Sequence, residues 1–250
     1  MNEQLSLLPT ISSEETVNQA NKLIETPQDL TMQEKRIIWV LASFIDEKDT
    51  NFRRQKIKIE EFAKVIGITS KNFYNVVEDT IEGLVGKTVT INEGDRRIVL
   101  SWLSSAVYHK GKGIVELEFS EMLRPYLLQL NQHMLRTSFK LRNVLALKSR
   151  YSGRMYELLK QYENKESRYY PIDEFRELLN VPEGTHQLYS KLKEKVILRA
   201  KKDLDAKTDI TFELKEYKES RKVVGVSFVV STNLSNIVSS AQQLPHVHSK

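Results

Sequence analysis

The sequence predicts an α+β protein in which one order of elements occurs twice: helix, short helix, turn, longer helix, β-hairpin. Three observations carry that prediction. Apolar residues recur at helical spacing in segments punctuated by Gly, Pro and Ser/Thr caps. Period-two alternation brackets short turns over 89–119 and again over 210–230. Both series appear in the same sequence in each half of the chain. That order is the winged helix-turn-helix, so two such domains in tandem are expected. The repeat is architectural only, without residue-by-residue identity between the halves.

Each element follows from its residues. Residues 14–26 predict a short helix, with Val17, Ala20, Leu23 and Ile24 on one face. Thr31-Met32-Gln33-Glu34 forms a capping box that starts a helix running to about Ile45. Residues 57–59 make a short strand. A helix over 60–66 ends at Gly67, which suits the positive φ of a C-terminal cap. Thr69 or Ser70 caps the next helix, which carries Phe73, Val77, Ile81 and Leu84 on its inner face. Residues 89–92 pair with 98–103 across Glu93-Gly94-Asp95-Arg96, and 106–109 with 114–119 across Gly111-Lys112-Gly113. A helix capped by Ser120 then carries Met122, Leu123, Tyr126, Leu127 and Leu130.

The second series begins with a long helix over 141–162, followed by a strand at 168–171 and a helix over 172–179. The Val181-Pro182-Glu183-Gly184 turn leads into a second long helix, 187–206. Strands 210–215 and 224–230 flank a tip at 218–222. The expected divisions are 1–138, an N-terminal winged helix, and 139–232, a C-terminal winged helix. Residues 233–250 are polar and aperiodic, the pattern of a disordered tail.

Composition excludes several classes. The chain has 250 residues and no Cys, so disulfides, thiol nucleophiles and Cys-type zinc sites are absent. The longest apolar run is far short of the roughly 20 residues of a membrane span, and Met1-Asn2-Glu3-Gln4 lacks a signal's positive region. A cytoplasmic protein without membrane contact is expected. Charge is uneven: residues 1–138 hold 17 Lys+Arg against 19 Asp+Glu, and residues 139–250 hold 21 against 14. A basic half joined to a near-neutral one fits a polyanionic partner, most simply nucleic acid.

The helix over 187–206 carries most of the functional signal. Leu188, Tyr189, Leu192, Val196, Ile197, Ala200 and Leu204 share one half of it. Gln187, Ser190, Lys191, Glu194, Lys195, Lys201 and Lys202 share the other. A solvated surface helix shows the same division, but here a tip with Lys218, Arg221 and Lys222 follows, and helix and tip together suit a two-point phosphate clamp. In the N-terminal half, Thr69, Ser70, Lys71, Asn72 and Asn75 form a weaker counterpart, helped by Arg96 and Arg97. Glu78, Asp79 and Glu82 on the same helix repel phosphate. Enzyme signals are poor. His246-Val247-His248 has the form of the metal-binding triplet of rolling-circle tyrosine nucleases, but it lies downstream of every Tyr. Neither metal site, cofactor nor catalytic residue is expected.

Lys148-Ser149-Arg150-Tyr151-Ser152-Gly153-Arg154-Met155-Tyr156-Glu157-Leu158-Leu159-Lys160 resembles a stretch of the theta-type, iteron-binding plasmid replication initiators of the Rep_3 superfamily. The likeness extends over residues 17–230. Leu30 to Asp46, Phe119 to Leu127, Phe175 to Leu179, Tyr189 to Asp203 and Lys218 to Phe228 fall in the family's order. The resemblance implies a protein that binds direct repeats (iterons) at an origin of double-stranded DNA. It further implies a monomer–dimer equilibrium, with residues 1–138 as dimer interface and auxiliary DNA contact, 139–232 as the main DNA reader, and dimers repressing the protein's own promoter at an inverted repeat. The implied partners are the host replication initiator and the replicative helicase with its loader. A winged-helix transcription regulator without initiator activity shares every DNA-binding feature and stands as the alternative.

Overall fold

In the computed structural model, which describes residues 8–46, 48–128, 130, 135–165 and 167–242, the chain forms two compact units, Met1–Leu145 and Ala146–Lys250. The divide falls beyond the expected 138/139 boundary because Phe139 belongs to the first unit. Strand β1 (Thr16–Ala20) pairs antiparallel with Arg136–Lys140, which sets Val17 opposite Phe139. Residues 16–20 are therefore a strand where apolar spacing predicts a helix, and within the expected span 14–26 only α1 (Asn21–Ile24) is helical. Val17 and Ala20 are buried in the strand as they would be in a helix, so their spacing did not discriminate. The partner strand, far along the chain, did.

Helix α2 (Met32–Ser43) starts at the expected capping box. The Glu34 amide donates to Thr31 Oγ1 (3.2 Å) and the Thr31 amide to Glu34 Oε2 (2.7 Å). All its residues but Gln33 are buried, so it is the central rod of the unit. Around it follow β2 (Gln55–Lys58), α3 (Ile59–Ile66) and α4 (Phe73–Val85). Gly67 ends α3 in the left-handed region (φ 78°), as its sequence position predicts. Helix α4 begins later than expected. Ser70 Oγ accepts from the Asn72 amide (3.2 Å) in a local turn, and neither Thr69 nor Ser70 caps the helix.

Strands β3 (Thr88–Glu93) and β4 (Arg96–Ser101) form one hairpin, β5 (Leu103–His109) and β6 (Ile114–Phe119) the next. Strand β2 joins β6, giving a sheet of order β2-β6-β5, while β3–β4 stands as a separate two-stranded sheet. The helix expected after Ser120 is split into a 3₁₀ turn, Glu121–Leu123, and α5 (Arg124–Leu127), which restarts around Pro125. Strand β7 (Arg136–Lys140) and α6 (Leu141–Leu145) close the unit. Arg36 of α2 ties these ends together, donating to the Ile66 carbonyl (2.7 Å) and the Leu145 carbonyl (2.9 Å). Its burial pulls the guanidinium pKa down.

The second unit starts at α7 (Arg150–Lys160), capped by Ser149, whose Oγ accepts from the Tyr151 amide (3.2 Å). The single helix expected over 141–162 is thus two, since Arg36 caps the end of the first and Ser149 the start of the second. Next come β8 (Tyr169–Pro171), α8 (Ile172–Leu178), and a turn with Asn180, Gly184 and His186 at positive φ. Helix α9 (Tyr189–Leu192) runs through one widened π turn, Lys193–Ile197, into α10 (Leu198–Lys207). Strands β9 (Ile210–Glu219) and β10 (Lys222–Thr232) form the hairpin, and the sheet order is β8-β10-β9. That matches the first unit strand for strand, so the repeat extends from element order to topology. Phe175, Phe212, Phe228 and Tyr170 meet at the centre, with Phe212 edge-on to Phe228 at 5.3 Å.

Of the irregular tail expected over 233–250, residues 243–250 lie outside the described residues, and the described part is corrected: Leu234–Gln242 is a helix, α11. It is anchored by asparagines. Asn233 Nδ2 donates to the Asp205 carbonyl (2.9 Å), and Asn236 Nδ2 to the Asp205 and Thr208 carbonyls (3.0 and 2.9 Å). These are among the orphan carbonyls at the end of α10, so the tail begins as that helix's cap. His246-Val247-His248 lies outside the described residues. No described helix is long and apolar enough to cross a membrane.

Candidate nucleic-acid interface

The exposed face of α9–α10 is shaped by its π turn. In an uninterrupted α-helix, residues four apart drift around the axis by about 40° per step. One widened turn admits an extra residue and reverses about 100° of that drift. Leu192, Val196, Ile197, Ala200 and Leu204 accordingly all reach the core. The outward residues align into two rows nearly parallel to the axis: Ser190, Glu194, Leu198 and Lys202, and beside them Lys191, Lys195 and Arg199. Gln187 precedes the helix, in a turn whose shape is held by Arg176, which donates to the Thr185 and His186 carbonyls (2.6 and 2.8 Å). Leu188, placed by sequence on the apolar face, is 68% exposed because the helix starts after it.

Charge on this face is graded. Lys191 and Lys195 both reach Glu194, at 3.3 and 2.8 Å. The Lys195 and then the Lys191 hydrogen bond hold the Glu194 carboxyl below its usual range, so it is ionised at neutral pH. Lys202 and Arg199 are exposed. Burial pushes the Asp203 carboxyl up, but the Lys207 and Ser152 hydrogen bonds, with the charges of Lys207 and Arg199, hold it below the ordinary value. Lys201 departs from expectation: it turns back to Asp205 (2.8 Å) and lies 5.3 Å from the Phe212 ring centre, which leaves it on the flank. Arg199 was missed by helical spacing, since a straight wheel drifts it toward the apolar side.

Beside the helix, the β9–β10 tip turns on Ser220 (φ 55°) and Arg221, with Lys218, Arg221 and Lys222 exposed. Tyr189 joins tip and helix: its hydroxyl donates to Glu216 (2.7 Å), which also takes Lys193 (2.9 Å). Burial first, then the Glu216 hydrogen bond, pushes the Tyr189 hydroxyl pKa up. Lys193, then Tyr189, holds Glu216 down. Helix and hairpin are thereby clamped into one surface with cations at both ends.

In the first unit the expected residues are divided. Thr69, Ser70, Lys71 and Asn72 lie in the turn before α4, with Asn75 on its first turn, all exposed. Arg96 and Arg97 lie on the separate β3–β4 hairpin, and Arg96 is paired with Glu93 (2.8 Å). They are not on the wing. By sheet order the wing is β5–β6, and its tip carries Lys110 and Lys112, both exposed, which sequence reading passed over. Tyr74 links α4 to this tip: a Cβ on Gly113 would sit 2.9 Å from its hydroxyl oxygen. The overlooked signal was the pairing of residues 55–58 with 114–117, which marks the second hairpin as the wing.

The tyrosines beside Arg168 have structural neighbours. Tyr170 is 1% exposed within the aromatic centre. Tyr169 is 44% exposed and stacks edge-on against Tyr217 at 5.0 Å, across Gly225, where any Cβ would come within 2.2 Å of its ring. The segment from Tyr151 to Lys160 is scaffold. Ser152 donates to Asp203 (2.9 Å), Tyr156 and Lys160 to Asp209 (2.9 and 2.8 Å), and Arg154 pairs with Glu157 (2.9 Å) while reaching the Leu178 carbonyl. It thus pins α7 to α10, to the start of β9 and to the end of α8.

Residues 16–160 match the family model described as Initiator Replication protein, WH1, and residues 171–230 the one described as Initiator Rep protein, WH2. A replication initiation protein of Escherichia coli is 28% identical over 204 residues, covering 77% of this chain and 63% of that protein, so the match spans less than two thirds of that relative. An uncharacterized 27.6 kDa protein of Escherichia coli is 23% identical over 208 residues, 78% of this chain and 86% of the other. Among solved structures, the Pi initiator protein in complex with iteron DNA shares the fold with a TM-score of 0.73 and 21% identity, over 89% of this chain and 98% of that one. Domains 2 and 3 of RctB align with a TM-score of 0.51 and 12% identity, over 81% of each chain. The first family model covers more than half of the chain and the second follows it in the order in which the three-stranded sheet recurs, so the chain belongs to the Rep initiator replication proteins built from a WH1 and a WH2 domain.

Proposed function

We propose that the chain is a plasmid replication initiator that binds direct repeats at its origin and acts by binding and distorting duplex DNA, without covalent chemistry. The observation that carries this reading is the second unit's surface: two aligned rows on α9–α10 beside a tip bearing Lys218, Arg221 and Lys222. A helix of that polarity enters the major groove while the tip meets phosphates. The Pi initiator, of like fold, was crystallised with iteron DNA, which supports the assignment. Gln187, Ser190, Lys191, Glu194, Lys195, Arg199 and Lys202 read and hold the duplex. Lys71, Asn72, Asn75, Lys110 and Lys112 give the first unit an auxiliary contact. The first unit also governs self-association, with dimers repressing the protein's own promoter. The host initiator and the helicase with its loader are the protein partners, in the cytoplasm.

Footprinting on DNA flanking the gene tests the reading. A ladder of short direct repeats is expected, and a single operator or no protection overturns iteron binding. Maintenance of an origin-bearing fragment by the gene separates an initiator from a regulator. The binding-only mechanism is tested by incubating supercoiled origin plasmid with protein and magnesium or manganese. A nicked strand with protein attached, lost in Tyr169→Phe, is the outcome that defeats it.

A further inference from the structure

Leu198 interrupts an otherwise polar face. It is the first residue of α10 and 45% exposed, although it is a large apolar side chain. A lone exposed leucine on an ordinary surface calls for no explanation. This one stands in the row Ser190–Glu194–Leu198–Lys202, beside Lys191–Lys195–Arg199, on the face turned away from the core residues Val196, Ile197 and Ala200. The π turn spans Lys193–Ile197 and counters the drift of about 40° per four residues, so Leu198 stays with Glu194 on the exposed face.

The major groove presents few apolar groups. Among the four bases only thymine carries a methyl there, whereas cytosine offers an amine that a carboxylate accepts. Glu194 is ionised and so suits the cytosine amine; Leu198, one turn on, suits the methyl. We propose that Leu198 is a specificity-determining residue that packs against the 5-methyl group of a thymine in the bound repeat. The proposal rests on the reading of α9–α10 as the helix that faces DNA, and it adds the identity of one base and the atom that reads it. Lys191, Lys195, Arg199 and Lys202 surround it with phosphate-seeking charge, which excludes a dry protein–protein contact at this spot by the desolvation that burying four cations entails.

Deoxyuridine differs from thymidine by that methyl alone, which makes the test direct. The full chain is used to select a duplex from a random-sequence pool, and each thymine of the selected site is replaced singly by deoxyuridine. One replacement is expected to weaken binding about four-fold, the effect of one buried methyl-sized group. Leu198→Ala is expected to bind that substituted duplex and the parent equally, while keeping wild-type responses to base changes elsewhere. Indifference of the wild type to every replacement, or unchanged sensitivity in Leu198→Ala, overturns the proposal. The double variant Lys191→Ala/Lys195→Ala distinguishes the two failures. If it binds as tightly as wild type, the helix is not the reader. If it binds weakly while the wild type ignores deoxyuridine, only the role of Leu198 falls.

Discussion

Lys191 and Lys195 share Glu194 in salt bridges, whereas Arg199 acts on Asp203 through its charge and Lys202 is exposed. In the proposed complex the paired lysines exchange a carboxylate for a phosphate or base, while Arg199 and Lys202 have no salt bridge among the described residues to give up. Replacing Lys191 and Lys195 by Ala is expected to cost on the order of 1–3 kcal/mol per lost contact in a titration at fixed salt. Arg199→Ala is expected to weaken binding to all sequences alike and to flatten the log affinity–log salt plot by about 0.9. Unchanged slope in that variant would remove Arg199 from the interface. Both lysines were legible from helical spacing; Arg199 was not, because spacing assumes a constant turn and this helix has a widened one.

At the scale of elements, the segment that identifies the family and the helix proposed to read DNA are different pieces, joined by hydrogen bonds. Glu157 is fully buried beside Arg154, and removing one member of such a pair strands the other's charge. Glu157→Ala is expected to lower unfolding stability by about 3–5 kcal/mol, seen as a fall in Tm, before any loss of DNA contact. The clamp of Tyr189, Lys193 and Glu216 adds a pH dependence. Because Lys193 holds the folded-state carboxyl of Glu216 below its ordinary value, its stabilisation is complete above about pH 4.3 and is lost as pH falls through the depressed value. Glu216→Gln is expected to flatten the acid limb of the stability–pH curve, and an unaltered limb would show that the clamp contributes nothing. The capping box, the Gly67 cap and all three hairpin pairings were readable, since each depends on residues close in sequence. Which hairpin of the first unit serves as the wing was not, because that depends on β2 pairing with β6 across more than fifty residues.

For the whole molecule, the revised divide sharpens the charge argument. Residues 1–145 hold 19 Lys+Arg and 19 Asp+Glu, and residues 146–250 hold 19 against 14, so the entire net charge of +5 belongs to the second unit. A fragment of residues 146–250 is expected to sediment as a monomer and to bind half of the repeat bound by the full chain. Self-association of that fragment equal to that of the full chain would move the interface out of the first unit. The sequence by itself determined the tandem winged-helix order, the family resemblance and the cationic helix with its tip, because caps, periodicity and local charge are written in neighbouring residues. Only the tertiary structure decided that residues 16–20 are a strand, where one unit ends, which hairpin is a wing, and that Arg199 faces outward while Lys201 lies on the flank. Those outcomes depend on partners distant in the chain, or on one turn of a helix widening to fit its core, and apolar spacing carries no record of either.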